Sequence, residues 1–210
     1  MKLKILTYTI LFVSILSLIG LMFWKQEYKF LQPTPIPENL KTIHKGDTLD
    51  IPFLRTFQKN TYIHFYNYDC PCSRFNIKEF QAMVRKYDDQ IKFIAVLQTE
   101  DNDAKAIKKF KKKYDLGIET LLDPKGEIAH TLGVYSTPQA VILKGNTLFY
   151  KGNYNKARFC LSKNTRFAEL ALAALLNNEP SPSFPAIAEI AYGCELPINS
   201  TPKKRFYNLF

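Results

Sequence analysis

The sequence predicts an α/β layered fold behind an N-terminal membrane-spanning helix. Three observations carry that expectation. Segments rich in β-branched and aromatic residues alternate with segments of helical periodicity, the pattern of a layered sheet. Two close cysteines, Cys70 and Cys72, stand where the first strand gives way to its helix. An uncharged stretch, Ile5 to Trp24, opens the chain.

That first stretch is about 20 residues, enough to cross the hydrocarbon core as a helix. Lys2 and Lys4 precede it and favour an inside N-terminus, and Trp24 and Tyr28 suit the membrane interface. A cleaved signal has a shorter apolar core and a small-x-small site, whereas here Leu21-Met22-Phe23-Trp24 follow Gly20. Residues 1–25 are therefore expected to be an uncleaved anchor, with the domain in the periplasm or at the cell exterior. A removed signal peptide would export the domain equally well. Residues 26–45 read as a linker, because proline recurs at alternate positions in Pro33-Thr34-Pro35-Ile36-Pro37 and stiffens the backbone.

The domain is expected over residues 46–178. Thr61 to Tyr66 is a buried strand by composition. A helix follows Cys72, with Phe75, Phe80, Met83, Val84 and Tyr87 at helical spacing. Ile91 to Leu97 is a second strand and Asp103 to Tyr114 a second helix, capped from Asp101, Asn102 or Asp103. Ile118 to Leu122 is a short strand ending at the turn Asp123-Pro124-Lys125-Gly126. Glu127 to Leu132 is a short helix closed by Gly133. Gln139–Leu143 and Thr147–Tyr150 form a hairpin over Lys144-Gly145-Asn146, and Thr165–Leu176 is the last helix. Residues 179–210 are a tail.

Composition narrows the function classes. Hydrophobic residues make up 46% of the 210, with 16 Phe and 12 Tyr, which is enough for a packed core. The net charge of +10 sits largely in Lys108, Lys109, Lys111, Lys112 and Lys113 and in Lys203, Lys204 and Arg205. The first run lies on a helix and reads as a solvated face. The chain carries no nucleic-acid signature, and no nucleic-acid partner is expected. Four cysteines in an oxidising compartment allow three pairings. Cys70 and Cys72 are neighbours, which leaves Cys160 and Cys194 as the expected structural disulfide, pinning the tail.

Residues 45 to 178 resemble the thioredoxin-like superfamily. Phe65-Tyr66-Asn67-Tyr68-Asp69-Cys70 matches the strand that delivers the nucleophilic cysteine. Ser136-Thr137-Pro138 matches the family's Thr-Pro, and the hairpin at Lys144-Gly145-Asn146 matches the last turn. The resemblance implies a central mixed β-sheet flanked by helices. It also implies a cis proline at Pro138 facing the active site, with the Thr137 backbone presented to a substrate peptide. It makes Cys70 the nucleophile and Cys72 the resolving thiol. A helix N-terminus and nearby Arg74 would acidify the thiol. Asp69 would be a helix cap or a proton acceptor. One departure stands out: the family's motif is Cys-x-x-Cys, and Cys70-Pro71-Cys72 is one residue shorter. A bond within it would close a strained ring, favouring oxidising or isomerising roles.

The expected activity is therefore thiol–disulfide exchange on cysteine-containing exported proteins, with a further redox partner and no cofactor or resident metal. Two alternatives share the architecture. A thiol peroxidase would reach from Cys70 to Cys194, but peroxiredoxins carry Thr or Ser three residues before the reactive cysteine. Asn67 stands there for Cys70 and Asp69 for Cys72. A copper-binding module would need two cysteines and a histidine on one metal. The three histidines do not match that spacing: His44 falls in the linker, His64 in a buried strand and His130 on a short helix.

Overall fold

The computed structural model describes residues 2–26, 28, 32–52, 59–99, 104–156 and 163–199. It divides into two units, residues 1–33 and 34–210. The first holds α1 (Lys2–Gln26), whose residues 2–25 are long and apolar enough to cross a membrane.

The second unit contains, in order, β1 (Thr61–Tyr66), α2 (Pro71–Tyr87), β2 (Lys92–Leu97), α3 (Ala104–Tyr114), β3 (Glu119–Leu122) and α4 (Glu127–Thr131). There follow β4 (Ser136–Thr137), β5 (Gln139–Lys144), β6 (Thr147–Gly152), α5 (Phe167–Leu176) and β7 (Cys194–Glu195). The expected elements are present, with ends moved by a few residues. The caps expected at residues 101–103 lie outside the described residues. Five strands form one mixed sheet in the order β3-β2-β1-β5-β6, the parallel β1, β2 and β3 being joined to the antiparallel β5 and β6.

β1 is the middle strand, and all six of its residues are buried. Covered on both faces, it reads as a continuous apolar run. Its side chains alternate between two cores, as strand geometry requires. Tyr62 and Tyr66 join Phe93, Leu97 and Ile142 beneath α2, α3 and α5. Ile63 and Phe65 join Ile94, Val96 and Val141 on the opposite face. α2 lays Ile77, Phe80, Met83 and Val84 on the first core, and α3 contributes Phe110 and Tyr114. The α3 lysines are exposed, which matches the solvated face expected of them.

The opposite face is closed in a way the sequence did not suggest. Among the described residues α4 is the one helix there, so Ile43, Leu49, Ile51 and Leu196 complete the cover. This corrects two expectations. The linker assigned to residues 26–45 becomes part of the packed body from Thr34 onward, where Thr34 is buried and its N–H donates to the Ala191 carbonyl at 2.8 Å. The described part of the tail, residues 179–199, is likewise built in, with Ala188, Ala191 and Leu196 all at or below 1% exposure. The physical reason is area: apolar sheet surface must be covered, and a core this size draws in whatever chain lies beside it.

Candidate functional site

The site forms where β1 ends. Asn67 organises the turn, its side-chain oxygen accepting the Asp69 N–H at 2.8 Å and its carbonyl accepting the Cys70 N–H at 3.3 Å. Cys70 is the N-cap of α2 with extended backbone, and Pro71 takes the first helical position. Proline suits that position, since its missing N–H would have had no helical partner. Asp69, expected as a possible cap, is instead exposed one residue ahead of the cap, and the cap residue makes no side-chain bond to the helix. Arg74 is exposed on the first turn.

Cys70 is fully buried and bonded to Cys194, with 5.8 Å between their Cα atoms. That spacing lies inside the range of about 4.4–6.8 Å that a disulfide spans. This corrects the expected Cys160–Cys194 pair. Cys194 is taken by Cys70, and Cys160 lies outside the described residues. The residues leave open whether Cys70 and Cys72 bond to each other, and in this structure Cys70 meets Cys194 instead. Cys72 sits on the inner side of α2 at 5% exposure, and Asn76 reaches back to its carbonyl at 3.0 Å. Cys70, as the cap, turns toward the loop between α4 and β5 instead.

That loop holds Thr137 and Pro138, joined by a cis peptide bond as the resemblance implied. The Cys70 sulfur lies 3.2 Å from the Thr137 carbonyl oxygen. In the disulfide it has no proton to give, so the contact becomes a hydrogen bond only in the thiol state. β4 pairs antiparallel with β7, Thr137 opposite Cys194 and Ser136 opposite Glu195. The Ser136 hydroxyl donates to the Cys194 carbonyl at 3.1 Å and lies 2.9 Å from the buried Thr34 hydroxyl. Gly193 is required here, because a Cβ at that position would drive into the Thr137 carbonyl. The Thr137 backbone, expected to meet a substrate peptide, is thus occupied by the chain's own tail. The buried Thr137 hydroxyl has no hydrogen-bond partner among the described residues.

Polar groups the sequence did not single out run beneath the site. Asn155 donates to the Asn76 side chain at 3.1 Å and to Glu79 at 3.3 Å, tying the loop after β6 to α2. His64 is fully buried under α2, stacked on Phe80 at 4.4 Å, with Nδ1 2.5 Å from the Tyr154 hydroxyl. Burial lowers its pKa to about 3, so its ring is neutral, as a core histidine should be. His130 is exposed and 3.2 Å from the Asn39 carbonyl, and His44 is exposed. Among the described residues, no three His, Cys, Asp or Glu side chains converge as metal ligands would.

With the site described, its relatives can be compared. Residues 41–195 match the model of a domain of unknown function, DUF6436. The chain belongs to the DUF6436 family. No curated protein matches it by sequence. An uncharacterised conserved protein from Geobacillus kaustophilus superposes with a TM-score of 0.58 at 21% identity, covering 69% of this chain and 79% of its own. A hypothetical protein from Sinorhizobium meliloti does so with a TM-score of 0.58 at 19% identity, over 74% and 95%. A candidate DsbE thiol:disulfide interchange protein from Chlorobium tepidum gives 0.51 at 17% identity, over 64% and 99%. These likenesses show the fold, and the fold of this DUF6436 member is thioredoxin-like. Position 41, where the family match begins, falls inside the segment that covers the far face of the sheet, and position 195 falls one residue beyond the bonded cysteine.

Proposed function

We propose that the protein is a thiol–disulfide oxidoreductase working through the Cys70–Cys194 pair. One observation carries this reading. A cysteine at the N-cap of a helix, beside a cis proline, is held in a disulfide with a cysteine 124 residues away. A helix start favours the anionic sulfur that exchange chemistry uses. The finer reading places α1 in the membrane and the domain outside the cytoplasm, where disulfides persist. Its partners are then cysteine-containing exported proteins and a separate redox protein that resets the pair. The Chlorobium tepidum neighbour, described as an interchange protein, fits this class.

The test is reduction of insulin disulfides by the full chain in detergent, with dithiothreitol as electron source. Cys70→Ser and Cys194→Ser are each expected to lower the rate at least 100-fold, since each removes one sulfur of the pair. Exchange at the wild-type rate in Cys70→Ser would overturn the proposal. A thiol peroxidase is the second reading, favoured by the remoteness of Cys70's partner. Loss of hydrogen peroxide in the same preparation, dependent on Cys70, would decide for it.

A further inference from the structure

The two cysteines of the disulfide are not equally placed. Cys70 is a fully buried residue, whereas Cys194 is partly exposed on β7, the strand paired with β4. We infer that Cys194 is the sulfur an incoming thiol meets, and that Cys70 is the buried leaving group. This rests on the exchange reading above and specifies which residue touches the partner.

The tail around Cys194 is held by more than the disulfide. On one side, the Ala191 N–H donates to the Tyr135 hydroxyl at 3.2 Å. The Asn153 side chain donates to the carbonyls of Ile187 and Ile190 at 2.8 and 2.6 Å. On the other side, Leu196 is 1% exposed in the core beneath the sheet. Opening the disulfide therefore leaves Cys194 in place on β4 and leaves Cys70 covered. A partner cannot take the β4 edge without stripping these anchors, so it must come to Cys194.

A partner cysteine, as thiolate, attacks the Cys194 sulfur. The bond from Cys194 to Cys70 breaks, and a partner–Cys194 disulfide forms. The electron pair leaves on Cys70, beside the unpaired N–H groups at the start of α2. The proton lost by the partner thiol ends on Cys70, where the Thr137 carbonyl stands 3.2 Å away as a ready acceptor. A second thiol of the same partner then attacks the partner's own sulfur and releases Cys194 as a thiol. The partner leaves oxidised by two electrons, and the Cys70–Cys194 pair is reduced by two. The partner class is a protein dithiol on an exposed, flexible segment.

The probe is glutathione. The oxidised full chain in detergent is treated with limiting glutathione, quenched in acid, alkylated and mapped by peptide mass. The expected result is at least tenfold more glutathione on Cys194 than on Cys70, with Cys70 recovered alkylated. Because Cys70 can reclose the bond, a second arm exposes reduced Cys70→Ser and Cys194→Ser chains to glutathione disulfide. Cys194 in the first variant should load at least tenfold faster than Cys70 in the second. Equal loading, or loading mainly on Cys70, would overturn the inference and leave the exchange reading standing. A disulfide that glutathione does not open would remove both.

Discussion

Replacing Cys194 with serine removes a cross-link that closes a very long loop, its ends 124 positions apart in the sequence. In the chain-entropy description, restraining that loop in the unfolded state stabilises the fold by about 5 kcal/mol. Domains of about 150–250 residues shift in Tm by roughly 2–4 °C per kcal/mol, so the expected drop is about 10–20 °C. The contacts of the tail at Asn153, Tyr135 and Leu196 do not depend on the disulfide, so the fold should survive the substitution. The assay is thermal unfolding of the full chain in detergent, followed by near-ultraviolet circular dichroism with and without dithiothreitol. Wild type under oxidising conditions should melt highest. Reduced wild type, Cys194→Ser and Cys70→Ser should melt together at the lower temperature, and reductant should not move either variant further. If reductant leaves the wild-type Tm unchanged, the argument from loop closure fails, and so does the pairing it starts from.

Three further outcomes are expected. Gly193→Ala sets a Cβ against the Thr137 carbonyl, an overpacking cost of about 1–3 kcal/mol. Disulfide occupancy after oxidation in a glutathione buffer should fall roughly 5- to 160-fold relative to the dithiol at 1.36 kcal/mol per tenfold, and unchanged thiol counts would contradict the close approach. His64 has its pKa lowered from 6.5 to about 3 by burial, so below pH 6.5 the unfolded chain takes up a proton that the folded chain does not. Stability should be complete above that pH and fall by about 1.4 kcal/mol per unit as pH drops toward 3. Urea titrations at pH 7 and 4.5 should differ by about 2–3 kcal/mol more in wild type than in His64→Phe, and parallel behaviour of the two proteins would refute the burial argument. Phe80→Ala empties the space between His64, Tyr62 and Phe93, and should cost about 3–5 kcal/mol in urea denaturation. A loss under 1 kcal/mol would mean that α2 does not rest on this ring.

Local chemistry was enough to read the elements that build the sheet. β1 is legible because a strand covered on both faces must be apolar throughout, and α2 because Phe80, Met83 and Val84 return at helical spacing. The hairpin between β5 and β6 is legible because Gly145 supplies the left-handed backbone its turn needs, at φ 60°. The placement of Cys70 at a helix start beside Pro138 followed from the thioredoxin-like resemblance. Two things did not follow. The proline-rich segment reads as a spacer because proline fixes the local backbone, yet local stiffness says nothing about whether Ile43, Leu49 and Ile51 find a surface to cover. Cys70 and Cys72 are neighbours in the chain, yet the residues leave open whether they bond to each other. In space the cap residue turns toward the cis-proline loop while Cys72 turns into the domain. Cys194 is delivered to that loop by the tail's hydrogen bonds with Asn153 and Tyr135 and by the burial of Leu196. The sequence alone therefore determined the sheet and the position of one reactive sulfur, since both depend on patterns within a few residues. Only the tertiary structure decided which sulfur it meets, because that contact depends on where a segment 124 residues away is buried.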